Sequence, residues 1–139
     1  MEISGIQNEI VEEFDFFDDW TERYEFIINL GKELPGIAPE HKKDENLIKG
    51  CQSRVWLHAQ ADEENRIHFT ADSDAILTKG IIALMIRVFS GQKAQDILEA
   101  DTSFIEKVGL KEHLSPTRAN GLVSMIKQIK FYALALQGK

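Results

Sequence analysis

The sequence predicts an α+β fold in which a small antiparallel sheet of two to three strands packs against several helices. Two changes of period carry that prediction. From Val55 to Ala71 apolar residues recur at every second position, and on either side they recur every third or fourth. The chain has 139 residues, 43% hydrophobic and 28% charged. That length suits a single domain, 1–139, whose core needs neither disulfides nor a structural metal.

The first forty residues read as two helices. Ser4 with Gln7 matches a capping box, and Ile6, Ile10, Phe14 and Phe17 then share one helical face. Asp19 restarts the pattern as an N-cap, with Glu22 three residues on. Trp20, Tyr24, Ile27 and Ile28 form the second apolar stripe, and Leu34-Pro35-Gly36 ends it. Residues 35–50 form a long, charged connection with two prolines and two glycines. Such connections are often functional, though many are plain surface links. This one leads directly to Cys51.

Val55, Leu57 and Ala59 alternate with Arg54, Trp56, His58 and Gln60. After a polar turn at 62–65, Ile67, Phe69 and Ala71 alternate with Arg66, His68 and Thr70. This is a hairpin with one face for the core. Residues 46–49 are the candidate third strand. Asp72-Ser73-Asp74 is then expected to cap a helix over 75–90, with Ile76, Gly80, Leu84 and Val88 beside Leu77, Ile81, Met85 and Phe89. A helix apolar on most sides is central. Gly80 in its middle costs about 1 kcal/mol against Ala, which points to close backbone packing.

Two short helices are expected over 93–100 and 103–108, the second closed by Gly109. The last helix opens at Ser115 as N-cap with Pro116 in its first turn, and runs to about Gln137 with Gly138 as C-cap. Leu122, Met125, Ile126, Ile129, Ala133 and Leu136 line its buried side. Lys127, Gln128 and Lys130 are expected to face water.

Sixteen basic against 23 acidic residues give a net charge of −7. That balance argues against a nucleic-acid partner, which needs a basic face. The single cysteine, Cys51, excludes an intramolecular disulfide and a Cys-rich zinc or iron–sulfur site built from this chain alone. The N-terminal stretch carries Glu2, Glu9 and Glu12 without a basic or strongly apolar region, so no secretion signal is expected. The most apolar run, 75–90, contains Lys79 and Arg87 and is too short to span about 30 Å of hydrocarbon, so no membrane association is expected. A free thiol without a secretion signal points to the cytoplasm.

Cys51 is the candidate for chemistry. Gly50 before it permits a sharp turn and a close approach, and Gln52, Ser53 and Arg54 after it are hydrogen-bonding or cationic, which suits a thiolate. A lone cysteine is also a common small buried hydrophobe. From the residues alone the two readings stand level. An ordinary thiol is only slightly ionised at neutral pH, so an independent thiol enzyme would need a base or a positive potential. His58 and His68 read as solvent-facing strand residues and His113 as a loop residue. His41, in the loop before Cys51, is the one histidine placed near it by sequence. Arg118 lies in the first turn of the last helix, where the macrodipole disfavours a cation. It is either a plain exposed arginine or a group that joins the helix N-terminus in favouring an anion.

The run Leu47-Ile48-Lys49-Gly50-Cys51-Gln52-Ser53-Arg54-Val55-Trp56-Leu57 closely resembles the active-site motif of the SufE family of sulfur-acceptor proteins. Ser115-Pro116-Thr117-Arg118 followed by Gly121 resembles that family's motif at the start of its last helix. The likeness covers nearly the whole chain and implies the fold shared with IscU-type scaffold proteins. It implies a partner of a PLP-dependent cysteine desulfurase (SufS- or CsdA-like), with the PLP belonging to the desulfurase and no cofactor or metal in this chain. Cys51 would take the persulfide sulfur, stimulate the desulfurase, and pass sulfur to a downstream iron–sulfur scaffold. Arg118 would orient the sulfur; Gly50, Gln52, Ser53 and His41 would meet the partner. The state would be monomer or homodimer. An adaptor that activates a desulfurase without carrying sulfur, and a metal-binding scaffold, are the rival readings.

Overall fold

The computed structural model describes residues 2–51 and 53–137. Helices α1 (Ile3–Phe16) and α2 (Trp20–Glu33) are followed by two single 3-10 turns, Pro39–His41 and Asp44–Asn46. A hairpin of β1 (Val55–Ala61) and β2 (Arg66–Ser73) leads into α3 (Ile76–Phe89) and a two-residue strand, β3 (Gln92–Lys93). Short helices α4 (Ala94–Glu99), α5 (Phe104–Lys107) and α6 (Leu110–His113) precede the long α7 (Pro116–Leu136). The sheet order is β1-β2-β3, antiparallel throughout. This is the α+β class that the two periods predict.

The hairpin pairs Val55 with Ser73 through Ala61 with Ile67. Asp62 closes its turn by accepting the N–H groups of Glu64 (2.8 Å) and Arg66 (3.0 Å). Val55, Leu57, Ala59, Ile67, Phe69 and Ala71 are all buried, so the alternating apolar face is the core face. The third strand is β3, beside the start of β2, and not 46–49. That segment makes a single bridge, Leu47 to Trp56, with the Ile48 N–H donating to the Val55 carbonyl at 2.8 Å. Gly50, at φ +93°, turns the chain out of strand geometry before pairing can extend.

α3 lies between the sheet and α2, and Ile81, Ile82, Leu84, Met85, Val88 and Phe89 are almost wholly buried. Gly80 provides the close approach expected of it. A Cβ on Gly80 would sit 2.7 Å from the Ile27 carbonyl carbon and closer still to its oxygen; one on Gly31 would sit 2.7 Å from the Gly80 nitrogen. α2 and α3 therefore touch backbone to backbone.

Two caps are as expected. Asp19 accepts the Glu22 N–H at 2.9 Å, and Ser115 accepts the Arg118 N–H at 3.3 Å. Two are not. Ser4 lies inside α1, whose N-cap is Glu2 without a side-chain bond, and Gln7 is buried, donating instead to the Asp101 carbonyl at 2.7 Å. Asp72, Ser73 and Asp74 do not supply an N-cap to α3; that position is Ala75. Asp72 holds Lys42 and Lys79, and Asp74 accepts the Arg54 N–H at 3.1 Å. Ile76, expected on the buried stripe, is exposed because it opens the helix beyond the core.

Three short helices, not two, fill 94–113, with Gly109 at φ +77° separating α5 from α6. His113 ends α6 rather than lying in a loop, and its ring stacks on Trp20 at 3.9 Å. Lys130 is half-buried and not in water, because its ammonium donates to the Leu98 and Ala100 carbonyls at the end of α4 (3.3 and 3.0 Å). Gln128 is likewise half-buried. Helix α7 ends with Gln137 as C-cap; Gly138 lies outside the described residues.

Candidate functional site

The connection from α2 to β1 is fastened at several points. Lys42 reaches Asp72 at 3.2 Å and lies 4.7 Å above the Trp56 ring, which is buried as a packing residue. His41 stacks on His58 at 3.7 Å with the rings 8° from parallel, so His58 is half-buried and not solvent-facing. Burial, then the neighbouring His41, holds His58 below its ordinary value. Asn46 donates to the His41 carbonyl at 2.6 Å and accepts from the Tyr132 hydroxyl at 3.2 Å; that hydroxyl also reaches the Leu57 carbonyl at 2.9 Å. The loop is thus pinned to β1 and α7 just before it reaches Gly50.

At Gly50 the backbone turns with φ +93° and drops Cys51 against the first half of α7. The Cys51 thiol is half-buried and donates to the Gly121 carbonyl at 3.6 Å. Gly121 allows this approach: a Cβ there would touch Cys51 Sγ at 3.4 Å. A small cavity of about 20 Å³ adjoins the thiol, lined by Cys51, Ser53, Thr78 and Ile81 from α3, and Thr117, Arg118, Gly121 and Met125 from α7. That volume holds about one water-sized group.

Burial pushes the Cys51 thiol up from its ordinary value. The resting group is therefore a thiol, and its polar sequence neighbours do not make it a thiolate. Arg118, distant along the chain, lines the same cavity from the first turn of α7. Its guanidinium has no hydrogen bond or ion pair among the described residues. With the N-terminus of a long helix beside it, this mouth favours an anion. The site can therefore hold a neutral thiol inward and stabilise negative charge outward.

Of the residues singled out by sequence, Cys51, Ser53 and Arg118 share the cavity, and Gly50 leads into it. His41 is not among the lining residues; it faces His58. Gln52 lies outside the described residues. Thr78, Ile81 and Met125 complete the cavity and carried no sequence signal, because their types and helical spacing are those of core residues. Among the described residues no cluster of three or more His, Cys, Asp or Glu is placed to hold a metal ion. No helix among them is long and apolar enough to cross a membrane.

A family model described as SufE, Fe-S metabolism associated domain, matches residues 8–133. An uncharacterized SufE-like protein of Rhizobium etli is 43% identical over 127 residues, covering 88% of this chain and 86% of that protein. A second, from Rhizobium meliloti, is 42% identical over 127 residues, covering 88% and 91%. SufE-like protein 1, chloroplastic/mitochondrial, of Arabidopsis thaliana is 39% identical over 131 residues, covering 94% of this chain and 35% of that longer protein. The solution structure of a hypothetical protein from Thermus thermophilus matches with a TM-score of 0.78 over 94% of this chain and 95% of that one. At 18% identity it is a likeness of fold.

Proposed function

The chain belongs to the SufE family, associated with iron–sulfur metabolism, and on that premise we propose that it carries sulfur as a persulfide on Cys51. The sulfur donor is a PLP-dependent cysteine desulfurase, which the chain also stimulates, and the recipient is an iron–sulfur scaffold. The PLP is the desulfurase's. This chain is a transfer partner and not an independent enzyme, acting in the cytoplasm, where a lone thiol stays reduced.

The observation that supports the reading most is the setting of the single thiol: half-buried, sharing its cavity with an arginine that has no ion pair among the described residues, on a chain turn built at Gly50. The transfer is thiol–persulfide exchange. Cys51, deprotonated on leaving its burial, attacks the terminal sulfur of the donor's persulfide. The new S–S bond forms as the old one breaks, and its electron pair leaves with the donor's cysteine, which takes up a proton. No net oxidant is required. Arg118 would steady the anionic sulfur at the cavity mouth, and Gly50 would let the thiol swing outward. Ser53 and Gln52 would meet the donor at the strand start; His41 would do so only indirectly, through the loop it pins.

The test is intact-protein mass spectrometry after incubation with the desulfurase, PLP and L-cysteine without reductant. The expected result is a gain of about 32 Da, one sulfur atom, on Cys51, removed by dithiothreitol. Cys51→Ser should bind the desulfurase and gain nothing. Faster desulfurase turnover without any adduct would replace the carrier with an adaptor.

A further inference from the structure

The outward side of α7 carries a stripe at helical spacing: Ser124, Lys127, Phe131 and Leu134. Phe131 and Leu134 are 62% and 61% exposed. Facing this stripe is the segment before Cys51. Between them lies a groove of about 450 Å³ lined by Leu47, Lys49, Ser124, Lys127 and Phe131, within the size range of ligand-binding clefts.

Its charge runs against that of the molecule. The chain carries −7 overall, yet Lys49 and Lys127 have no hydrogen bond or ion pair among the described residues. The acid on the groove wall, Glu45, is occupied by Lys43 at 2.9 Å. The groove also adjoins the reactive turn, because a Cβ on Gly50 would sit 2.5 Å from the hydroxyl of Ser124, a groove residue.

We propose that this groove seats an acidic segment of the cysteine desulfurase bearing an apolar or aromatic side chain, with Lys49 and Lys127 meeting the acids and Phe131 and Leu47 the apolar group. The proposal rests on the carrier reading above. Unpaired cations select an acidic partner and steer its approach, and an exposed aromatic beside an apolar wall is a typical anchor. A second copy of this chain seated here would stand beside the approach to Cys51, so the occupant is the protein that needs that approach.

The experiment compares wild type, Phe131→Ser, and Lys49→Glu with Lys127→Glu in one chain. All three side chains are exposed, and thermal melts establish that the variants fold. Sulfur loading of Cys51 is measured against chain concentration at low and moderate salt. The expected outcome is a rise of about tenfold in the half-saturating concentration for each variant with the maximal rate retained, and loss of the wild type's salt dependence in the charge variant. An unchanged half-saturating concentration overturns the proposal. So does sedimentation of wild type as a dimer that Phe131→Ser dissolves, which gives the groove to a second copy. If Cys51 takes no sulfur at all, the carrier reading falls by itself, and calorimetric binding of the same variants to the desulfurase still decides the groove.

Discussion

Gly31 and Gly80 bring α2 and α3 together backbone against backbone, whereas Gly50 and Gly121 bring Cys51 to α7 through side chains. At the first pair an added methyl would meet main-chain atoms at 2.7 Å, and those atoms can move only if a whole helix moves. At the second it would meet the Ser124 hydroxyl at 2.5 Å or the Cys51 sulfur at 3.4 Å, both at the ends of rotatable side chains. The helix crossing is rigid because its contacts have no local freedom. The thiol corner closes on contacts that a rotation can open. The fold thus holds both kinds of contact, main chain at the helix crossing and side chain at the thiol, in different places.

The sharpest way to break this contrast is Gly80→Ala. The methyl gains about 1 kcal/mol of helix propensity but forces α2 away from α3, and the net loss should be about 3 kcal/mol in urea unfolding. Wild-type stability in this variant would mean that the helices yield and the crossing is not rigid.

Gly50→Ala should cost less, about 2 kcal/mol, from the φ of +93° together with the clash on Ser124. Adding Ser124→Ala should recover the steric share and leave the backbone share. Full recovery in the double variant would show that the left-handed turn contributes nothing to the cost.

The smallest effect on stability, about 1 kcal/mol, is expected for Gly121→Val, which fills the space beside Cys51 Sγ and turns the thiol outward. Its effect is read by alkylation. Burial raises the pKa of Cys51, so in wild type the pH midpoint for iodoacetamide labelling should lie above that of the urea-unfolded chain. The linkage follows: the folded state holds this proton more tightly, so the stability from the buried neutral thiol is full below the ordinary thiol pKa. It is lost as pH rises through the folded value. In Gly121→Val the midpoint should fall toward the unfolded one. Coincident midpoints in wild type and the unfolded chain would mean that the thiol is not desolvated.

What could be read from sequence was what neighbours along the chain decide. The Asp19 and Ser115 caps, the hairpin and the buried face of α3 follow from residues a few positions apart, and all are present. The misplaced features were those whose side chains had distant offers. Gln7 abandons a cap for a carbonyl 94 positions away, and Lys130 leaves water for carbonyls about thirty positions away. Asp72 and Asp74 are drawn to Lys42 and to the Arg54 N–H, thirty and twenty positions away, and where Asp72 does meet α3 it pairs with the Lys79 side chain rather than capping the helix N–H groups. At the site, Cys51 and Arg118 were conspicuous by chemistry, while Thr78, Ile81 and Met125 were not, since nothing local distinguishes a cavity wall from core.

By itself the sequence determined the α+β class, the one thiol of the chain, and the glycine that turns the chain before it. Those are properties of residue type and short-range periodicity. Only the tertiary structure decided that Arg118 shares the cavity of Cys51, that the thiol rests half-buried against Gly121, and that two lysines without an ion pair among the described residues line a groove beside it. Each of these depends on distance across the fold and on desolvation, and both are set by packing between segments that the chain keeps far apart.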